Sequence, residues 1–165
     1  MEPVYQHWPE HMIIKYEQKG YWKPFTLGEH LRSWAQKYGE RIALVEQGRR
    51  ISYSELNRRA DELASGLHDV GIQKGDQVLI QLPNSIEFVL SCFALFRLGA
   101  IPILSMMANR EADIDAICAL AEPVAYIALD TFLGFDHYVL AQKMVSQHVE
   151  ATSGNTGIAV AEEEE

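Results

Sequence analysis

The sequence predicts an α/β fold: a mainly parallel sheet with βαβ crossovers and helices laid over it. Three observations carry that expectation. Residues 71–104, GIQKGDQVLIQLPNSIEFVLSCFALFRLGAIPIL, spell strand, tight turn, apolar helix and strand, with Gly or Pro at nearly every junction. Strand-like and helix-like segments then keep alternating with short connections, the order that right-handed crossovers and a parallel sheet require. The chain has 165 residues, 48% of them hydrophobic and 22% charged, ordinary globular composition and enough for one domain with a real core.

Taken in order, residues 1–25 read as an N-terminal arm with Pro3, Pro9 and Pro24 and one short helix near Glu10–Lys19, ended by Gly20. Thr26-Leu27-Gly28-Glu29 is a capping box. Leu27, Leu31, Trp34, Ala35 and Tyr38 follow on one helical face, and Gly39 stops the helix. Arg41–Glu46 reads as a strand, Gln47–Arg49 as a turn and Arg50–Ser52 as a short strand. Ser52 with Glu55 forms a second capping box, and Leu56, Ala60, Leu63, Ala64 and Leu67 continue as a helical stripe to Gly71. Lys74-Gly75-Asp76 is turn chemistry, and Gln77–Leu82 is a buried-type strand. Asn84 is read as the N-cap of Ile86–Leu98, a helix apolar almost all round and therefore expected to be covered on more than one side. Ala100–Leu104 is a strand. Asn109 is read as the cap of a helix carrying Ile114, Ile117, Cys118 and Ala121, which Pro123 stops. Val124–Leu129 is a further strand, and a weaker helix is expected over Phe135–Gln147. Residues 26–147 thus form the α/β portion, and 148–165 are expected to be a flexible acidic tail.

The formal net charge is −9. Much of it lies in the tail, where Glu150 and Glu162 to Glu165 occur with no Lys or Arg, so the rest of the chain is only mildly acidic. No basic stripe is present, which argues against nucleic acid as a partner. The longest apolar run, Phe88–Phe96, is too short to span a bilayer. The first residues show no basic region followed by an apolar run. Cys92 and Cys118 sit in apolar helical patterns without metal-ligand spacing, as small hydrophobes in a reducing compartment would. A cytoplasmic protein with no membrane partner is the expectation.

Few residues carry candidate chemistry. His7-Trp8-Pro9-Glu10-His11 matches the spacing of a zinc-protease motif, but Pro9 prevents one continuous helix from presenting both histidines. No metal site is expected, and His30, His68, His137 and His148 read as scattered surface or partly buried polar residues. Thr152-Ser153-Gly154-Asn155-Thr156-Gly157 is the one loop rich in Gly and hydroxyls. Ser153, Gly154, Thr156 and Gly157 are the candidate anion-binding residues, because such loops offer free backbone amides and hydroxyl donors. The bland reading, a flexible connection, weighs more, since four glutamates follow closely and would repel a polyphosphate. Asp113 and Asp115 near a helix start favour the helix dipole. No catalytic constellation can be assembled from spacing.

Several strings together resemble one family. Arg50-Ile51-Ser52-Tyr53-Ser54-Glu55-Leu56 is similar to the first core motif of the adenylate-forming (AMP-binding) ligases. Gly71, Lys74-Gly75-Asp76, Leu82-Pro83-Asn84 and Glu87-Phe88 match the strand and helix that follow it. Phe96-Arg97-Leu98-Gly99-Ala100-Ile101-Pro102 resembles the second core motif. Trp8-Pro9, Tyr16, Gly20-Tyr21-Trp22, Thr26-Leu27 and Leu31-Arg32-Ser33-Trp34-Ala35 narrow the resemblance to siderophore aryl-acid ligases. Met107-Ala108-Asn109-Arg110 departs from the Pro-Ala-His-Arg common in that subgroup.

The resemblance implies, for a full-length member, ATP- and Mg-dependent adenylation of 2,3-dihydroxybenzoate or salicylate, then transfer to an aryl carrier protein thiol. It also implies that the phosphate loop and catalytic groups lie C-terminal to the matched portion. No catalytic residue or cofactor is therefore assigned within residues 1–165. The expectation is an N-terminal fragment, inactive alone, whose partner is the remaining C-terminal part of the enzyme. Its exposed sheet edges and apolar helix faces should promote self-association. A stand-alone binding or regulatory module on the same fold, or one half of a split enzyme, are the alternatives.

Overall fold

The computed structural model describes residues 8–148 and the backbone strand at 157–160. Helix α1 (Glu10–Gln18) starts at Pro9, whose fixed φ of −54° suits the cap position, and buries none of its residues. Trp8, Tyr16 and Trp22 instead cluster with one another, ring centroids 5.6–6.2 Å apart. Helix α2 (Leu27–Tyr38) opens on the complete Thr26–Glu29 capping box and ends at Gly39. Strands β1 (Ile42–Glu46) and β2 (Arg49–Ser52) form an antiparallel hairpin. Ser52 caps helix α3 (Tyr53–Asp69) by accepting from the Glu55 amide. The Glu55 carboxylate does not return to the cap, because Arg58 and Arg59 engage it at 2.6–3.0 Å.

The main sheet follows. Strand β3 (Gln77–Gln81), helix α4 (Ile86–Leu98), strand β4 (Ile101–Leu104), helix α5 (Glu111–Ala121) and strand β5 (Ala125–Ala128) alternate as expected. A small hairpin, β6 (Thr131–Phe132) and β7 (Phe135–Asp136), then leads into helix α6 (His137–His148), and β8 is Gly157–Val160. The sheet order is β4-β3-β5-β8, and all three pairings are parallel. The α/β architecture stands as predicted.

The pleat sorts β3 into two faces. Val78 and Ile80, with Ala125 and Ile127 of β5, pack under α3 and α4 through Ala64, Leu67, Ala94 and Leu95. Leu79, with Tyr126 and Ala128, packs under α5 and α6 through Ile114, Cys118, Leu140, Ala141 and Met144. A third cluster joins α2, α3 and α4 through Leu31, Leu56, Ala60, Ile86 and Leu90. Helix α4 therefore belongs to two cores, which explains why its sequence is apolar all round.

Three further local expectations are corrected. Ser85, not Asn84, caps α4: its backbone is extended and its hydroxyl accepts from the Phe88 amide at 3.1 Å. Arg110, not Asn109, caps α5, and its amide donates to the Asp113 carboxylate at 3.0 Å. Asn109 instead turns its side-chain amide to the Ser105 hydroxyl. The last helix begins at His137 rather than Phe135, because Leu133 and Gly134 take positive φ of 47° and 77° and turn the preceding residues into a hairpin.

Candidate functional site

The order of the strands locates a crevice. Strand β3 leads into α4 on one face of the sheet, while β5 leads through the small hairpin into α6 on the other. Adjacent parallel strands whose connections depart to opposite faces leave a gap beyond their carboxyl ends, where open α/β sheets bind ligands. Here the gap lies beyond Gln81 of β3 and Ala128 of β5, which are register partners.

A buried polar cluster sits there. Gln81, fully buried, shares a face with Leu79 and closes the core under α5 and α6. Its side-chain Nε2 donates to the carbonyl of Met106 at 2.8 Å and to that of Asn109 at 3.1 Å. Its Oε1 accepts from the Tyr126 hydroxyl and lies 3.1 Å from Nδ1 of His137. Since an amide oxygen only accepts, His137 must carry its proton on Nδ1. His137 is itself fully buried, and its Nε2 has no partner among the described residues. Phe135 meets the imidazole edge-on at 4.8 Å, and the Arg110 guanidinium lies 4.2 Å from the Phe135 ring centre.

The electrostatics keep these groups neutral. Burial and the nearby Arg110 charge lower the His137 pKa, with Asp136 opposing weakly. Burial raises the Tyr126 hydroxyl well above the ordinary phenol range. Burial and Asp115 push the Cys118 thiol up to about 11. A set of groups that all resist ionisation orients its surroundings and does not transfer protons readily. Beside it, Leu82, Phe88, Leu104, Met106 and Met107 line a cleft of about 340 Å³, one wall of which is the loop that Gln81 holds.

These residues do not fit a polyphosphate or its metal. Arg110, the cation whose charge acts on His137, already donates to the carbonyls of Met107 and Asn109 at 2.7 and 2.9 Å. Ser153, Gly154 and Thr156 lie outside the described residues, as does His7. Gly157 begins β8 as the register partner of Ala125, at the amino end of the sheet and so opposite the crevice. Of the four candidate anion-binding residues only Gly157 is described, and it lies away from the buried cluster. Sequence reasoning missed Gln81, Tyr126 and His137. The available signal was Gln81 itself, an uncharged polar residue closing a strand whose other central positions are Val78, Leu79 and Ile80. His137 is fully buried and not a helix-surface residue, because the hairpin before it aims it inward.

With the fold and crevice in place, the chain belongs to the AMP-binding enzyme family, whose sequence profile matches residues 31–164. Within that family, it is 44% identical over 140 residues to the 2,3-dihydroxybenzoate-AMP ligase of Bacillus subtilis (strain 168), covering 85% of this chain and 26% of the relative. It is 36% identical over 145 residues to the salicyl-AMP ligase / salicyl-S-ArCP synthetase of Mycobacterium tuberculosis, covering 85% of this chain and 26% of that one. Among solved structures, the apo MbtA of Mycobacterium smegmatis superposes with a TM-score of 0.81 at 32% identity, over 93% of this chain and 27% of its own. The chain thus spans about a quarter of the length of the relatives it matches.

Proposed function

We propose that residues 1–165 are the N-terminal scaffold of an aryl-acid AMP ligase. The complete protein would adenylate 2,3-dihydroxybenzoate or salicylate with ATP and pass the aryl group to the thiol of a carrier protein, in siderophore biosynthesis. The observation that carries this reading is the pairing of 44% identity over 85% of this chain with only 26% of the ligase it resembles. The Gln81 side chain, hydrogen-bonded through both its nitrogen and its oxygen to neutral groups, supports a structural task for this portion rather than a chemical one. The position of Gly157 at the amino end of the sheet gives no support to an anion site at Ser153, Gly154, Thr156 and Gly157.

The test is pyrophosphate exchange into ATP in the presence of aryl acids. Residues 1–165 alone should give none above background. The same residues joined to the C-terminal remainder of the Bacillus subtilis relative should exchange with 2,3-dihydroxybenzoate or salicylate. Exchange by residues 1–165 alone would overturn the scaffold role. A folded joined protein that exchanges with neither aryl acid would overturn the reading of these residues as the scaffold of an aryl-acid ligase.

A further inference from the structure

We propose that Gln81, Tyr126 and His137 form a proton-released latch at the switch-point crevice. While His137 is neutral, the latch holds the 105–110 loop and the start of α6 across the carboxyl ends of β3 and β5. Protonation of His137 frees both.

The latch has one hub. The Gln81 amide fixes the loop through two carbonyls, Met106 and Asn109, and fixes α6 through His137. The His137 amide also donates to the Asp130 carbonyl at 2.8 Å, so the start of α6 is tied to the end of β5 through both backbone and side chain. Neutral His137 satisfies this arrangement with its Nδ1 proton. An imidazolium would add a second N–H at Nε2, and that atom is buried with no acceptor among the described residues.

The neighbours give a second charge little relief. From the loop, Arg110 is a cation lying over Phe135. From β5, Tyr126 is an un-ionised phenol that already donates to Gln81. From α5, Cys118 is a neutral thiol beyond Tyr126. Asp136, the preceding residue, is the one carboxylate acting on the ring among the described residues, and it accepts from the Val139 amide at 2.8 Å. Burial and Arg110 together outweigh it. The sign follows. The folded pKa is below the unfolded value near 6.5, so the unfolded or unlatched chain binds the proton more readily. The latch is fully effective above about pH 6.5 and weakens as pH falls toward the depressed folded value.

Hydrogen exchange of the full chain tests this at the amides of Asn109 and His137. After correction for intrinsic rates, protection at both should fall several-fold, up to about tenfold, between about pH 7.5 and about pH 5.5. Amides in the β1–β2 hairpin should change much less. His137→Asn places a donor that does not titrate where Nδ1 stands, and should abolish the pH dependence while leaving protection near pH 7.5 within a few-fold. Nitrogen NMR of unmutated His137 supplies a reading that needs no variant. It should show the Nδ1–H tautomer and a titration below the ordinary imidazole value near 6.5. The latch is overturned if His137 carries its proton on Nε2, or titrates at or above the ordinary imidazole value near 6.5. It is equally overturned if His137→Asn keeps the wild-type pH dependence, or if the low-pH opening is shared by the whole chain.

Discussion

Arg97 is gripped from two helices. Its guanidinium donates to Asp61 and, at 2.7 Å, to Asn57 of α3, while the backbone of Gly28 in α2 lies against its stem. A Cβ at position 28 would stand 3.0 Å from Arg97 Cγ and 3.5 Å from its Cα, so the stem would have to move and the grip on α3 would loosen. Gly28→Ala should therefore destabilise the chain by about 1–2 kcal/mol, the ordinary range for overpacking. Gly66, in the interior of α3, is the control, since nothing lies within 4 Å of its built Cβ. Gly66→Ala should stabilise by about 1 kcal/mol through helix propensity alone. Chemical denaturation of the two variants checks the opposite signs, and equal signs would show that Arg97 is free to shift.

At the scale of elements, the β1–β2 hairpin does more than cover a face. Gln47 and Gly48, its two turn residues, have φ of 44° and 88°, the geometry that matches a hairpin's twist. The turn places Glu46 so that its carboxylate accepts from the Ile86 amide at 2.8 Å, and Arg49 so that it meets Glu87 at 2.6 Å. The hairpin thus supplies a cap to a helix forty residues away in sequence. Glu46→Ala should cost about 1 kcal/mol, seen as a lower unfolding midpoint and faster exchange of the Ile86 amide. Unchanged exchange at Ile86 would show that the Glu46 carboxylate does not protect it. This contact also marks what the sequence could and could not reveal. Local signals were legible: the Thr26–Glu29 box, the apolar stripe of α3, and the all-round apolarity of α4 that reflects its two cores. Long-range polar contacts were not. Nothing near Glu46 in the chain announces Ile86, and nothing near Gln81 announces Tyr126 or His137. The cap of α4 was misplaced by one residue because Asn84 and Ser85 are both good caps, and only the backbone angles at Ser85 decide between them.

At the scale of the molecule, the sheet ends in an open edge at β4. Ile101 and Ser105 donate their amides inward to Asp76 and Ile80, so the alternate positions 102 and 104 face outward. Pro102 has no amide hydrogen, which leaves Leu104 as the outward donor of the strand and blunts the edge against pairing. The exposed side chains of Leu104 (59%) and Met106 (71%) still make this rim sticky. Residues 1–165 should self-associate, and Pro102→Thr should associate more strongly by restoring the missing donor. Sedimentation velocity over a range of concentrations measures both. Equal association by the two proteins would place the contact away from β4.

The order β4-β3-β5 also sets a schedule for synthesis on the ribosome. Strand β3 is the first strand of this sheet to be translated and ends up inside it, with β4 on one flank and β5 on the other. The nascent chain can close the first flank once Leu104 has emerged. The second flank must wait for all of α5 and β5. During that interval the central strand has one naked side, and Gln81 has neither Tyr126 nor His137 to satisfy it. The time taken to translate residues 105–128 is therefore the window in which a chaperone, or a second nascent chain, can reach the middle of this sheet.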